Sequence, residues 1–392
     1  MKEIVEYPHN CKRQANGSLP GLIFLIPSLS GGGAERVASN LLPYLSQHFD
    51  VTLALLENRL IHPVPEKVRL KSFSGPLESQ TAHISRIPYH ILSLARLVRK
   101  YNVRVVLSFI EQANILNLLT AFITHHRTVI SQRVEPDRQY ANKGILGQLI
   151  LKASRLLYPK AGQVVAVSEG IRNTLISDYG LDPGRLNVIH NPVDIKNLSY
   201  QAKAPLPSGI PVKFLLHVGR MRLAHKAQDV ILKAFHLLRR KYKDLSLVFV
   251  GDGPDRERIM SQVDSLGLND DIILTGWQDN VAVFMARADV FVLASRYEGW
   301  PNVLMEAMAC GCPVVATDCD TGPREILGNN EYGLLAPVNN AEALARAVDE
   351  LLSNKSRREW YKEQAFKRAK DFKLEIIAKK YVELLKTNAI KG

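Results

Sequence analysis

Residues 289–316 read DVFVLASRYEGWPNVLMEAMACGCPVVA. The stretch opens on a short apolar run, 289–293, that reads as a buried strand. A polar, glycine-containing loop follows, then a helical pattern over 302–310 and a second apolar strand over 313–316. Proline suits a first helical turn, so the helix is expected to open at Pro301 or Asn302. Strand, loop, helix and strand in this order predict one unit of a parallel sheet covered by helices.

The same alternation extends in both directions. Upstream within this half, strands are expected at 213–218, 245–250 and 272–275, with helices at 227–241, 254–265 and 280–286. Downstream, 341–353 and 356–385 read as lysine-rich helices. A separate series occupies the first half: strands at 21–27, 50–56, 103–110, 128–131 and 163–167, helices at 34–47, 87–100, 112–123 and 145–158. Residues 187–211, rich in Pro, Asn and Ser, read as the linker. The chain is therefore expected to be α/β, with two doubly wound parallel-sheet domains. The boundaries are 1–195 for the first and 196–371 for the second, with 372–392 a helix returning to the first. Ligands in such sheets bind beyond the carboxyl ends of the strands, so a cleft between the two domains is the expected site.

Bulk properties agree with a globular chain of two domains. It has 392 residues, 46% hydrophobic and 23% charged, with a formal net charge of +13. Residues 1–200 carry 23 Lys and Arg against 14 Asp and Glu; the remainder carries 28 against 24. The excess sits in the first half and suits an anionic partner, although a basic surface also serves solubility alone. Cys11, Cys310, Cys312 and Cys319 form no Cys-x-x-Cys pair, which favours free thiols in a reducing compartment over zinc. The polar N-terminus holds no apolar signal core, and no apolar run is long enough to span a bilayer.

Three constellations carry chemistry. Ser30-Gly31-Gly32-Gly33-Ala34-Glu35-Arg36 lies between a strand and a helix, where glycines admit a phosphate to backbone N–H groups. It is not a dinucleotide fingerprint, because Arg36 takes the third glycine position, nor a P-loop, because no Gly-Lys-Ser/Thr follows. A tight turn without a ligand remains the alternative. Gly219-Arg220-Met221-Arg222-Leu223-Ala224-His225-Lys226 places two cations, Arg220 and Lys226, on a loop before a helix, suited to gripping a diphosphate. A basic surface loop is the alternative there. The third pairs Glu298 on a loop with Glu306 in the following helix. A carboxylate beside Val303, Leu304, Ala307 and Met308 needs a polar partner, and ribose hydroxyls would serve.

Glu298 and Glu306 have seven residues between them. With SGGGAERV, VVAVSEGIRNTL, NVIHNPVD, HVGR, VFVGDGPDRERI, ILTGWQDN and GPREIL in the same order, the chain from about residue 21 onward resembles family 4 of the retaining glycosyltransferases. The resemblance implies the GT-B fold, a UDP-sugar donor and no metal cofactor. It implies that Arg220 and Lys226 hold the donor diphosphate. Glu298 would face the donor sugar as an electrostatic helper, and Glu306 would bind the ribose. Gly32 and Gly33 would close over the diphosphate. Gly276, Trp277 and Gln278 would contact the base, Asn302 and Val303 would cap a phosphate, and Thr321 and Gly322 would meet the sugar. Asp318-Cys319-Asp320 matches a short metal-binding pattern, but cations replace the metal in this fold. Arg133, in the stretch 130–136, stands where many members carry a His near the sugar. It is placed with Glu35 in a first-domain or acceptor site, and His125 and His126 are read as loop residues.

The SGGGAERV and TGPREILGNNEYGLL segments are similar to those of bacterial N-acetylgalactosaminyltransferases that extend undecaprenyl-diphosphate-linked oligosaccharides; capsule and O-antigen enzymes share them. Residues 86–100 set Ile87, Ile91, Leu94 and Val98 against Arg86, Arg96, Arg99 and Lys100, and 143–160 repeats the character. Such helices either lie on an anionic bilayer or pack their apolar stripe on the sheet. The expectation is a cytoplasmic enzyme, peripheral on the inner face of the bacterial inner membrane. It would act on a polyprenyl-diphosphate-linked glycan and bind no nucleic acid, since base-reading motifs are missing. The rivals are a UDP-sugar epimerase of the same fold, a DNA-glucosylating enzyme and a non-catalytic sugar-nucleotide binder.

Overall fold

The computed structural model describes residues 5–6, 19–74, 86–140 and 143–390. Cys11 and most of the polar N-terminus lie outside them. The chain divides into two compact units: residues 1–192 with 374–392, and residues 193–373.

The sheet of unit 1 contains β1 (Val5–Glu6), β2 (Gly21–Ile26), β3 (Asp50–Leu55), β4 (Arg69–Ser72), β5 (Val105–Phe109), β6 (Arg127–Gln132), β7 (Gln163–Ala166) and β8 (Leu186–Val188), in the order β1-β4-β3-β2-β5-β6-β7-β8. Only the β1–β4 pair is antiparallel; the pairs from β4 through β8 are parallel. Successive side chains of a strand point to opposite faces, and both faces are covered. Leu22, Phe24 and Ile26 join Leu53, Leu107 and the helices Gly33–Leu45 and Leu374–Ile390 in one core. Ile23 and Leu25 join Ala54, Val106 and the helix Ile87–Lys100 in the other. This is why the strands read as continuous apolar runs rather than alternating ones.

Unit 2 repeats the plan with β9 (Phe214–Val218), β10 (Ser246–Val250), β11 (Ile272–Gly276), β12 (Val290–Leu293), β13 (Val314–Thr317) and β14 (Leu334–Ala336), in the order β11-β10-β9-β12-β13-β14. All its strand pairs are parallel. Leu215, Leu247, Phe249, Val290, Val292 and Val315 pack with Phe235, Leu344 and Val348 in one core. Each such side chain contributes roughly 1.5–3 kcal/mol through burial.

In both sheets the winding reverses direction once. The reversal lies between β2 and β5 in unit 1 and between β9 and β12 in unit 2. Loops leaving neighbouring strands in opposite directions there open a crevice, which is where ligands bind in doubly wound sheets.

The segment 187–211 is not a plain linker. It contains the end of β8 and the helix Ile195–Gln201. Asp194 accepts a hydrogen bond from the Asn197 N–H at 3.0 Å. The polar residues that suggested a loop include the cap that starts a helix. The continuous helix expected over 356–385 is two helices, Lys355–Ala369 and Leu374–Ile390, with a 3-10 turn, Lys370–Phe372, ahead of the second. The Phe372 ring is buried against Trp300, centroid to centroid 5.1 Å, which holds the turn on unit 2. Among the described residues, no helix is long and apolar enough to cross a membrane.

Candidate active site

The loop after β9 and the loop after β12 meet at the reversal point of unit 2. The first carries Gly219 to Lys226 and holds a short helix, Leu223–Lys226. It is strapped down from the β10 side. The Gly219 N–H donates to the Val250 carbonyl (2.9 Å), and the Met221 N–H to that of Asp252 (2.9 Å). The Leu223 N–H donates to Asp255 Oδ2 (2.8 Å). This approach requires glycine. A Cβ on Gly251, which also has φ +129°, would sit 2.3 Å from the Gly219 carbonyl oxygen; one on Gly253 would sit 2.4 Å from that of Met221. Below the loop, the buried His217 ring donates from Nδ1 to the Val292 carbonyl (2.9 Å), joining β9 to β12. Gln228 Nε2 donates to the Arg220 carbonyl (3.0 Å). The backbone of Arg220 is therefore fixed on several sides while its side chain is exposed.

Glu298 occupies the loop after β12 and is 7% exposed. Its Oε1 accepts from Lys226 Nζ at 2.5 Å and from Ser295 Oγ at 2.6 Å. Burial alone would push this carboxyl up; the Lys226 ammonium and the two hydrogen bonds outweigh it and hold the group below the usual carboxylate range. His225 lies 3.8 Å from the same oxygen. Its ring stacks on Tyr297 with centroids 4.2 Å apart, and Nε2 lies 3.0 Å from the Tyr297 carbonyl oxygen. Burial, with Lys226 beside it, pushes His225 down to about 4, so it is a neutral imidazole donating from Nε2. The Arg296 N–H donates to the His225 carbonyl (2.8 Å), and its guanidinium grips Asp229 with both nitrogens (3.2 and 2.9 Å). The arrangement is a buried, ionised carboxylate touching one cation, with the exposed Arg220 on the same loop as that cation. It can hold an anion on Arg220 and Lys226 while presenting negative charge beside it.

The other residues singled out in unit 2 fall around this centre. The Thr321 hydroxyl donates to the Glu298 carbonyl. Gly322 has φ +88°, and a Cβ there would meet the Gly299 carbonyl oxygen at 2.8 Å. Both residues thus press the loop after β13 onto the Glu298 loop. Pro301 is the N-cap of the helix Asn302–Ala309, which puts Asn302 and Val303 in its first turn. Glu306, half-buried, is one turn further along the same helix, whose Leu304, Met305, Ala307 and Met308 are buried. Gly276, at φ +71°, ends β11. Trp277 after it is 62% exposed with Nε1 donating to Asp279 (3.2 Å), and Gln278 donates to the Thr275 carbonyl (3.2 Å). Asp318, of the short acidic pattern, is paired with Arg324.

Unit 1 brings its own loops to its reversal point. Gly32 is the N-cap of the helix Gly33–Leu45 with no side-chain cap. Glu35 folds back so closely that a Cβ on Gly32 would meet its Oε2 at 2.3 Å. Burial pushes the Glu35 carboxyl up, against its own backbone N–H and Arg133, which lower it. Arg133 is buried among unit 1 side chains. It donates to Asn191 Oδ1 (2.5 Å), reaches Tyr381 Oη and Ser131 Oγ (3.4 Å each), and lies 4.4 Å over the Phe109 ring. His125 ends a helix in the left-handed conformation. His126, in the same loop as expected, is buried, bonded to Thr124 (2.6 Å) and Asn117 (2.8 Å) and pushed down to about 4 by burial.

Sequence reading did not assign roles to Gly251, Gly253, Asp255, His217, Gln228 or Ser295. A signal existed for the first three, since Gly-Asp-Gly-Pro-Asp directly after an apolar strand marks a close backbone approach. Gln228 and Ser295 gave none, because neither residue type in its local pattern says that its side chain turns to the Arg220 carbonyl or to the Glu298 carboxylate.

Residues 31–197 match the family described as Glycosyltransferase Family 4, and residues 203–368 match Glycosyl transferases group 1. The chain is 31% identical over 349 residues to the N-acetylgalactosamine-N,N'-diacetylbacillosaminyl-diphospho-undecaprenol 4-alpha-N-acetylgalactosaminyltransferase of Campylobacter jejuni, covering 88% of this chain and 94% of that one. It is 23% identical to the amylovoran biosynthesis glycosyltransferase AmsD of Erwinia amylovora, covering 93% and 99%. Its fold matches that of Anabaena HepE, solved with UDP, with a TM-score of 0.78 at 20% identity over 94% of this chain and 100% of that one. With the E-x7-E loop and helix at the reversal point of unit 2 and this likeness along nearly its whole length, the chain belongs to the family 4 glycosyltransferases of GT-B fold.

Proposed function

We propose that the enzyme transfers an N-acetylgalactosamine or another hexose-type sugar from a UDP-sugar to a polyprenyl-diphosphate-linked oligosaccharide, forming an alpha bond with retention. The observation that carries this is the Lys226–Glu298–Ser295 cluster on the same loops as the exposed Arg220. In this reading Arg220 and Lys226 neutralise the diphosphate as it departs. Glu298 stabilises the positive charge that develops at the anomeric carbon. The departing phosphate oxygen takes the acceptor's proton, so Glu298 is not a nucleophile. Glu306 binds the ribose and Trp277, with Gly276 and Gln278, the base. Asn302 and Val303 cap a phosphate, and Thr321 and Gly322 border the sugar. Gly32, Gly33, Glu35 and Arg133 belong to the acceptor-side unit. A capsular or lipopolysaccharide acceptor is the second reading, supported by the full-length likeness to the amylovoran enzyme.

A ligand that binds only the native state stabilises it, by about 2.7 kcal/mol at about 100 times its Kd. Thermal unfolding across a panel of UDP-sugars is expected to show one of them raising the unit 2 transition by several degrees, and UDP alone also raising it. No shift with any of them would remove the donor class.

The reading includes a peripheral site on the inner face of the bacterial inner membrane, reached from the cytoplasm. The two basic helices differ in what supports it. In the helix Ile87–Lys100, Leu94 and Val98 are buried in the sheet core, as in any domain helix. The helix Gly144–Leu157 keeps Gly147, Leu151, Ser154 and Leu157 inward and turns apolar residues outward. Ile145 is 83% exposed and Leu156 66%, with Leu146 and Leu149 also exposed, and Lys152 exposed beside them, while Arg155 on the same helix is paired with Asp137 (2.6 Å). Apolar residues on the outer face with cations alongside suit insertion into an anionic interface. Ile145→Asp with Leu149→Asp is expected to abolish co-sedimentation with vesicles containing phosphatidylglycerol while leaving UDP protection intact. Unchanged sedimentation of the double variant would remove this helix from the docking surface.

A further inference from the structure

Unit 1 holds a cavity of about 1050 Å³ at the opposite end of its sheet from the glycine loop. Its floor is the starts of β6 and β7 and the whole length of the edge strand β8, with Ile189 after it. Arg127 begins β6, Gln163 begins β7 and Leu186 begins β8, and all three line it. Ligands of doubly wound sheets bind at the carboxyl ends, so this cavity calls for a different occupant. One wall is the C-terminal helix Leu374–Ile390, through Lys380, Glu383 and Leu384. The other is the end of the helix Glu111–Thr124, through Leu118 and Phe122.

The charges around it are unequal. Arg127, Lys160 and Lys380 are exposed cations on the lining, and Glu383 is the one acid among the described lining residues. Glu383 already faces Lys379 at 3.9 Å. His126 also lines the cavity, but both its ring nitrogens are bonded and it is neutral. The balance favours a phosphate-type anion. The apolar part is unusual for a plain anion site. Phe122 is 56% exposed, and Lys160 Nζ lies 5.5 Å from its ring centroid. Lys160 follows four residues after Leu156, the last outward-turned apolar side chain of the helix Gly144–Leu157. Cations and an apolar wall thus lie side by side, next to the end of the helix assigned to the bilayer.

We propose that this cavity binds the headgroup of an anionic phospholipid, its phosphate held by Arg127, Lys160 and Lys380 and the start of its acyl chains lying on Phe122, Leu118 and Leu384. The proposal extends the membrane-docking reading, which concerns a helix surface, to a single-lipid site. It makes anionic lipid a ligand of the acceptor-side unit.

The test uses dihexanoyl phosphatidylglycerol below its micellar concentration, so that no bilayer is needed. On the full chain it is expected to raise the unfolding temperature, while dihexanoyl phosphatidylcholine and glycerol phosphate do not. Lys160→Glu with Lys380→Glu is expected to weaken the effect at least about tenfold in concentration, whereas Ile145→Asp with Leu149→Asp leaves it unchanged. Phe122→Trp supplies a second measurement, since a lipid with brominated chains should quench its added fluorescence. Equal shifts with the two lipids, an equal shift with glycerol phosphate, or indifference to the charge reversal would overturn the proposal. Failure of the wild type to sediment with vesicles, with the soluble lipid still effective, would remove the docking reading and leave the cavity's ligand in place.

Discussion

Glu298→Gln is expected to lower kcat for sugar transfer about 10²–10³-fold, the scale on which one electrostatic contact to a transition state acts, while the KM for the UDP-sugar changes by less than about threefold. The reasoning rests on what the substitution preserves. Glutamine has the same shape, and its oxygen can still accept from Lys226 and Ser295, which hold the carboxylate at 2.5 and 2.6 Å. The loop should therefore keep its position, and the diphosphate should find its cations unchanged. What disappears is a negative charge that the proposed function sets beside the anomeric carbon, and such a charge matters only once positive charge develops there. Steady-state kinetics with varied donor separates the two parameters, and protection by UDP confirms that the site still forms. The pH dependence follows with its sign. Because the Glu298 carboxyl lies below its ordinary range, the wild type stays ionised there through mildly acidic pH, and its contribution is lost only as pH falls through that lowered value. A variant that keeps kcat within a factor of about five would show that the charge does no catalytic work.

The fold was largely legible in the sequence because it rests on buried parallel strands. A run such as Gly21–Ile26 is apolar on both faces, and no other local structure of that length explains it. The elements that escaped notice are short or polar. β4, Arg69–Ser72, mixes charge with apolar residues, and Arg69 reaches Asp50 and Thr52 across the strands. The helix Ile195–Gln201 starts on an Asp cap inside a segment whose composition resembles a loop. For the site, Arg220, Lys226, Glu298 and Glu306 stood out because the segments that carry them resemble the family's motifs. The supporting residues did not. Gln228 fixes the Arg220 carbonyl, and Ser295 and Thr321 fix the two ends of Glu298. The Thr321 bond joins loops after neighbouring strands, 23 positions apart, and the other two depend on how a loop turns its side chains, which residue type alone does not specify. The outward apolar face of Gly144–Leu157 was likewise ambiguous. A stripe of Ile and Leu predicts burial or a bilayer equally well until exposure distinguishes them.

Replacement of Arg220 and Lys226 together by alanine is expected to abolish measurable transfer, with a loss of at least about 10³-fold in kcat/KM and no protection by UDP. The two single variants separate binding from folding. Arg220 is exposed, so Arg220→Ala should leave the unfolding temperature nearly unchanged, within about 0.5 kcal/mol of stability, while cutting kcat by about 10². Lys226 is different, because its ammonium is the counter-ion of a carboxylate 7% exposed. Its removal leaves that charge buried without compensation, a change of about 3–5 kcal/mol, relieved in part by the Glu298 carboxyl taking up a proton. Lys226→Ala should therefore lose stability as well as rate, and its stability deficit should shrink when Glu298→Gln is added, since the orphaned charge is then gone. Rate should not recover in that pair, because the diphosphate has still lost a cation. The two single losses should also multiply to more than the double variant shows, as the proposed site has both side chains serving one leaving group. Arg220→Ala carries the decision, because it leaves the buried pair intact. Transfer at more than half the wild-type rate in that variant would separate the basic loop from the chemistry, and with it the donor site assigned to unit 2.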